Sequence, residues 1–174
     1  MQAESKREFV EYVSGCLPRL HRAAYLLCGD ADRADDIVQA TLTTLYVQWK
    51  RASAADNLDG YVHRIMVRRF LDEKRLGWSR VVLSAERPEQ PAPVDGGFET
   101  RDSVVAALRG LPRGQRAVLV LRFFYDLSVE STARILGCST GNVKSQSARG
   151  LAALRTSLAA LESPRRPGSG WSRR

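Results

Sequence analysis

The chain has 174 residues, enough for one domain or two small ones, and its 27 Lys and Arg outweigh 19 Asp and Glu to give a formal net charge of +8. That balance favours a polyanionic partner: DNA, RNA or an anionic membrane surface. No apolar run approaches the roughly 20 residues of a membrane helix, and Met1–Glu8 leads into no signal-peptide core, so a cytoplasmic protein without membrane insertion is expected.

Cys16, Cys28 and Cys138 form an odd, scattered set, which argues against a disulfide framework. Cys16, His21 and Cys28 make a weak zinc candidate because no closely spaced cysteine pair accompanies them. Neither a metal nor a cofactor is expected.

In chain order, Phe9–Cys16 and Leu20–Cys28 read as two helices broken near Pro18. Gly29 fits a helix C-cap, and Asp30 or Asp32 can cap the next helix. That helix carries Val38, Leu42, Leu45, Tyr46 and Trp49 at helical spacing. Ala52–Asp59 reads as a loop, and a fourth helix runs from about Leu58 to Leu76. Its wheel puts Val62, Ile65, Met66 and Phe70 on one side. Arg64, Arg68 and Arg75 fall nearly opposite, with Tyr61 at their edge. A basic face beside an aromatic suits single-stranded DNA, where guanidiniums meet phosphates and a ring stacks on a base. The same face would also serve as a plain solvated surface.

Val81–Leu83 is the one strand-like scrap. Residues 84–97 hold Pro88, Pro91, Pro93, Gly96 and Gly97 and almost no large apolar side chain, the composition of a linker. The expected organisation is therefore all-α: a helical domain over about 5–80, a linker over 81–100, a second helical domain over 101–161 and a flexible tail over 162–174.

In the second domain, helices are expected at about Arg101–Arg109, Arg113–Tyr125, Val129–Leu136 and Thr140–Leu161. Ala117, Val118, Leu121 and Phe124 form the apolar face of the second. The segment Val129–Val143 has the constraints of a helix-turn-helix. Small Ala133 sits where two helices touch, Gly137 can leave right-handed space, Ser139 can cap the following helix, and Leu136 and Val143 can lock the pair. From Ser131 to Leu161 there is no Asp or Glu, while Arg134, Lys144, Arg149 and Arg155 are basic. A helical hairpin used for protein contacts has the same shape; the charge favours DNA.

Together these residues resemble a known family, the group IV or extracytoplasmic-function sigma factors of the sigma-70 family, over nearly all of residues 6–160. Ala34-Asp35-Asp36-Ile37-Val38-Gln39 resembles the family's acidic polymerase-binding stretch. Tyr61-Val62-His63-Arg64-Ile65 with Arg68, Arg69, Asp72 and Arg75 resembles its −10 element helix. Leu111–Val118 and Gly137–Ser145 resemble its −35 binding domain. The resemblance implies a factor that joins RNA polymerase core, through its largest and second-largest subunits, and reads promoter DNA. Asp35, Asp36 and Gln39 would face polymerase. Asn57, Tyr61, Arg64, Arg68 and Arg75 would serve the −10 element, and Thr140, Asn142, Lys144, Ser145, Gln146 and Arg149 the −35 element. An anti-sigma factor is a further candidate partner. Ser131, Arg68, Gln146 and Ala148 depart from the family's usual residues, which bears on the promoter sequence read.

Three other functions compete. A stand-alone DNA-binding regulator would share the helix-turn-helix but would not need the acidic stretch, the basic helix and the linker in this order. An enzyme is disfavoured by two distant His and the lack of a Gly-rich phosphate loop or nucleophile motif. An adaptor or anti-sigma protein is disfavoured by the basic helix-turn-helix.

Overall fold

The computed structural model describes residues 3–80 and 100–162, with side chains from 3–72 and 102–161; Val81–Leu83, residues 81–99 of the expected linker and 163–174 of the expected tail lie outside the described residues, while Thr100 and Glu162, expected in linker and tail, are the end residues of helices. The regular elements among the described residues are all helices, joined by short turns, with no strand among them. In the first domain α1 spans Ala3–Cys28, α2 Ala31–Val47, α3 Trp49–Ala52 and α4 Leu58–Arg80.

Helix α1 runs unbroken through Pro18, contrary to the expected break. A proline has no N–H to give the carbonyl four residues back, and here that carbonyl belongs to Ser14, which is exposed, so water can take the place of the lost bond. The face that holds the helix together lies on either side of Pro18. Phe9 and Val13 pack on the core before it, and Leu20, Ala23, Ala24 and Leu27 are buried after it. Gly29 then closes α1 at φ +68°, and Asp30 caps α2 by accepting the Arg33 N–H at 2.9 Å.

Trp49 does not continue α2 as its spacing suggests. The chain breaks at Gln48, and Trp49 starts the short α3, where it is buried with Phe9 edge-on at 5.2 Å. Tyr46, placed on the same apolar stripe by the sequence, is 46% exposed. Helix α4 reaches Arg80, beyond the expected Leu76. Its buried residues Val62, Met66 and Phe70 follow the wheel; Val67 adds to them, and Ile65 is only half-buried.

In the second domain α5 spans Thr100–Arg109, α6 Arg113–Leu119, α7 Val129–Leu136 and α8 Thr140–Glu162. Helix α6 does not continue as an α-helix to Tyr125. Val120–Phe124 forms a π-helical turn in which the Tyr125 N–H reaches back five residues to the Val120 carbonyl at 3.1 Å. This turn leaves Phe123 55% exposed and buries Tyr125.

The two domains share one core. Ala117, Val120, Leu121, Tyr125 and Ile135 of the second pack in the same cluster as Leu27, Val62 and Phe70 of the first. Polar contacts cross the same boundary, and each donor is an arginine. Arg116 donates to the Leu27 carbonyl at 2.6 Å, Arg19 to the Phe124 carbonyl at 3.2 Å, and Arg113 to the Phe70 carbonyl while lying 4.6 Å over the Phe70 ring. The His63 and Tyr125 rings lie against each other, tilted by 38°, with centroids 3.8 Å apart. A Cβ on Gly29 would stand 2.2 Å from Arg109 Cδ, so the α1 terminus meets the second domain through a residue without a side chain. Two buried polar atoms at this boundary, His63 Nδ1 and the Tyr125 hydroxyl, have no protein partner, which costs about 1–3 kcal/mol each.

Candidate polymerase and nucleic-acid interfaces

On α2 the buried residues Ala34, Ile37, Val38 and Thr41 define the inner face. Asp35, Asp36 and Gln39 are exposed on the other side within little more than one turn. Asp35 lies 2.5 Å from His21 Nε2 on α1, with both side chains about half exposed. Asp36 and Gln39 stand free of ion pairs among the described residues. Of the weak zinc candidates, His21 faces Asp35 and Cys28 Sγ donates to the Asp30 carbonyl; no group of three or more His, Cys, Asp or Glu placed to hold a metal is found among the described residues.

Helix α4 presents Arg64 and Arg68 to solvent, one turn apart. Tyr61 is half-buried and its hydroxyl donates to Gln48 Oε1 at 2.5 Å, which fixes the ring beside the two arginines. Asn57 is exposed and already committed in part: its Oδ1 accepts the Gly60 N–H at 2.8 Å and caps α4. The cap leaves its amide nitrogen unused. Arg69, also exposed, donates to Thr44 Oγ1 at 2.8 Å and so braces α4 on α2. The side chain of Arg75 lies outside the described residues.

The helix-turn-helix has the local chemistry expected of it. Ser128 Oγ accepts the Ser131 N–H at 3.0 Å and caps α7, Gly137 takes φ +67°, and Ser139 Oγ accepts the Asn142 N–H at 3.1 Å and caps α8. Val143, fully buried, packs with Val118 and Ala133, and Leu136 and Cys138 close that cluster. Gly150 lets α8 approach α6, where a Cβ would lie 3.1 Å from Leu119 Cδ1. With Val143 and Gly150 facing inward, Thr140, Asn142, Lys144, Ser145 and Arg149 are exposed, whereas Gln146 is half-buried. Arg149 pairs with no carboxylate among the described residues.

The sequence analysis gave no role to Arg19, His63 or Tyr125, yet all three line a cleft of about 850 Å³ together with the −10 candidates Asn57, Tyr61 and Arg64. Its lining also includes Ser131 and Arg134 of α7. Burial pushes the His63 imidazole down to about 4, with Asp59 pulling it up and Arg19 adding to the depression. Burial also raises the Tyr12 phenol, helped by its 2.7 Å hydrogen bond to Asp59. Only a three-dimensional arrangement could reveal this cleft, because residues that line it, such as Tyr61 and Ser131, lie about 70 positions apart in the chain.

Residues 12–80 match Sigma-70 region 2 and residues 101–154 match Sigma-70, region 4. The RNA polymerase sigma-E factor of Streptomyces coelicolor is 34% identical over 158 residues, covering 89% of this chain and 88% of its own. The ECF RNA polymerase sigma factor SigM of Mycobacterium tuberculosis is 32% identical over 140 residues, covering 78% and 69%. Among solved structures, the sigma factor RpoE in complex with the anti-sigma factor NepR from Bartonella quintana matches with a TM-score of 0.73 at 25% identity, covering 90% of this chain and 99% of that one. With both regions present in order and such relatives matched over most of their length, the chain belongs to the extracytoplasmic-function sigma factors of the sigma-70 family, which bind RNA polymerase core and direct promoter-specific transcription initiation through −10 and −35 recognition.

Proposed function

We propose that this sigma factor divides its work among three exposed surfaces and catalyses no reaction itself. Asp35, Asp36 and Gln39 meet the largest core subunit, while other contacts reach the second-largest subunit. Arg64 and Arg68, with Arg75 further along α4, hold the phosphates of the unpaired −10 strand, while Tyr61 and Asn57 meet its bases. Thr140, Asn142, Lys144, Ser145 and Arg149 face the −35 major groove, with Gln146 at the margin because it is half-buried. The protein acts in the cytoplasm, where polymerase and DNA are, and an anti-sigma factor is a further partner, as NepR is for its structural relative. The observation that carries the reading is the exposed basic face of α8, capped by Ser139 and set on Val143, beyond a separate basic face on α4. Purified core polymerase plus this protein should give a promoter-specific transcript that core alone does not; a protein that binds DNA but never programmes core would be a stand-alone regulator.

Two results are expected at the DNA surfaces. In −35 DNA binding by the full chain, Arg149→Ala lowers the slope of log affinity against log salt by about one if Arg149 meets a phosphate. It costs about 1–3 kcal/mol at one base position if it meets a base edge. An unchanged slope and unchanged base preference in a folded variant removes Arg149 from the site. At the −10 element, Arg64→Ala and Arg68→Ala weaken holoenzyme binding to a premelted promoter with little dependence on sequence. Asn57→Asp keeps the cap on α4 but loses the amide donors, so it changes preference at one position. Asn57→Ala adds a stability loss of about 1 kcal/mol. Equal responses of premelted and duplex promoters to all these variants would reject the −10 assignment.

A further inference from the structure

Asn57 and Tyr61, the residues assigned to −10 bases, belong to one short stretch of chain that a single exposed side chain ties shut. The chain leaves α2 at Gln48, makes the short α3 and a turn, and enters α4 after Asn57. The backbone of Gln48 is held on both sides. Its N–H donates to the Thr44 carbonyl at 3.1 Å, and its carbonyl accepts the Arg51 and Ala52 N–H groups at 2.9 Å each. Trp49 and Ala52, both buried, seat α3 on the core. Gln48 therefore projects its side chain from a fixed point, and its Oε1 accepts the Tyr61 hydroxyl at 2.5 Å across 13 positions of chain. Asn57 lies inside the span so closed, and its carbonyl accepts the Tyr61 N–H at 3.1 Å. The first turn of α4 is anchored as well, because Tyr12 on α1 donates to Asp59 at 2.7 Å.

We propose that Gln48 is a positioning residue for −10 reading: it meets no base itself, but it sets the angle of the Tyr61 ring, closes the loop that carries Asn57, and so fixes which base is preferred at one −10 position. The proposal rests on the assignment of Tyr61 and Asn57 to the −10 strand. A tyrosine ring turns about two side-chain torsions. Tyr61 is only half-buried, so packing holds the inner part of the ring and the hydroxyl needs a partner to select one orientation. Gln48 is exposed, so in the free protein water competes for both partners and the bond adds little to stability. A base stacked on the ring excludes that water, and the bond strengthens at the moment DNA is held. Such a bond discriminates more than it binds. A ring at another angle still offers a face to any base, but it no longer favours the one that fits. Arg64 and Arg68 differ in kind, because phosphate contacts carry no sequence information. The other brace between the same helices, Arg69 to Thr44 Oγ1 at 2.8 Å, differs too: it seats α4 on α2 without touching Tyr61 or Asn57.

The test uses holoenzyme made from core polymerase and the full chain, bound to premelted promoters that carry each base in turn along the −10 element. Gln48→Leu removes the acceptor at similar size. It should fold as the wild type does and lower the ratio of preferred to disfavoured base at one position by about 3- to 10-fold, the worth of one hydrogen bond, with the other positions unchanged. Tyr61→Phe removes the donor and should give the same loss, and the double variant should lose no more than either alone. Gln48→Glu keeps an acceptor, so it should restore the ratio, while its charge near the strand lowers affinity evenly for all sequences. Thr44→Val removes the acceptor of Arg69 and should leave the ratio intact. Unchanged preference in Gln48→Leu overturns the proposal, as does a ratio that Gln48→Glu fails to restore. Losses that add in the double variant, or a matching shift from Thr44→Val, overturn it too, because they mark general seating of α4. Failure of the −10 reading shows differently, as a Tyr61→Ala variant that binds every premelted promoter as the wild type does. If Tyr61→Ala changes binding and Gln48→Leu does not, the −10 reading stands and the role of Gln48 falls.

Discussion

Arg116→Ala is expected to lower the unfolding free energy by about 3 kcal/mol or more, the largest single-residue effect among the polar groups described. Its guanidinium donates to three carbonyls at once: Leu27 at 2.6 Å, Arg109 at 2.8 Å and Leu111 at 2.9 Å. Two of these carbonyls sit at the end of α5 and the turn beyond it, and one sits at the end of α1, where helix carbonyls lack partners of their own. Bonds from a charged donor contribute about 1.5–3 kcal/mol each, and a truncation leaves the buried acceptors unmet. Against this stands the cost of burying the cation, which together with nearby Arg113 pushes the guanidinium down to about 10. At neutral pH it is still charged, so the bonds remain charge-assisted. Arg116→Lys should recover only part of the loss, because one ammonium cannot span three acceptors in the plane of a guanidinium. Urea denaturation followed by far-ultraviolet circular dichroism measures both. A loss below about 1 kcal/mol for the alanine variant would mean the carbonyls find water instead, and the three bonds would carry little net stability.

Reversing Asp35 and Asp36 to Lys is expected to weaken core binding by about 2 kcal/mol or more, roughly 30-fold, if the partner charges are desolvated on docking. The alternative explanation is that these acids only stabilise the α2 N-terminus. Their position disfavours that. Asp30 is the cap and Asp32 lies in the first turn, whereas Asp35 and Asp36 lie beyond it, where the helix dipole has faded. Asp32→Lys is thus the control: it should disturb α2 and leave core binding nearly intact. Asp36→Lys alone is the cleaner test, since Asp35 also faces His21. Core binding by the folded double variant, measured by fluorescence anisotropy, settles the matter. Undiminished affinity would remove this edge from the polymerase interface.

The parts of this fold that could be read from the sequence are those set by neighbours along the chain. Gly29, Asp30, Gly137 and Ser139 each act on residues within a few positions, so turn and cap chemistry predicts them. The split of α4 into buried Val62, Met66 and Phe70 against exposed Arg64 and Arg68 follows from helical period alone. Pro18 misled because a proline's effect on a helix depends on what its preceding turn faces, and here that turn faces solvent. Trp49 misled because spacing does not reveal the break at Gln48. Closure of the two domains was illegible for a different reason. The apolar residues Ala117 and Leu121 look the same in a pattern whether they cover their own domain or another. The candidate DNA-reading residues were legible as types and positions on a helix. The partial commitment of Asn57 to its cap and the half-burial of Gln146 were not, because both depend on how each helix is seated.

The π-helical turn at Val120–Phe124 ties the docking of the two domains to the seating of the helix-turn-helix. Such a turn amounts to one extra residue inserted in an α-helix, and one residue rotates everything after it by about 100°. Deleting that residue would restore a regular helix and swing Tyr125 away from His63, and Phe124 away from Arg19. Val118 precedes the turn while Ala133 and Val143 follow it, so the same deletion would also pull apart the cluster that holds the recognition helix. A lineage could therefore not shed this docking by a single codon without repacking its recognition helix as well.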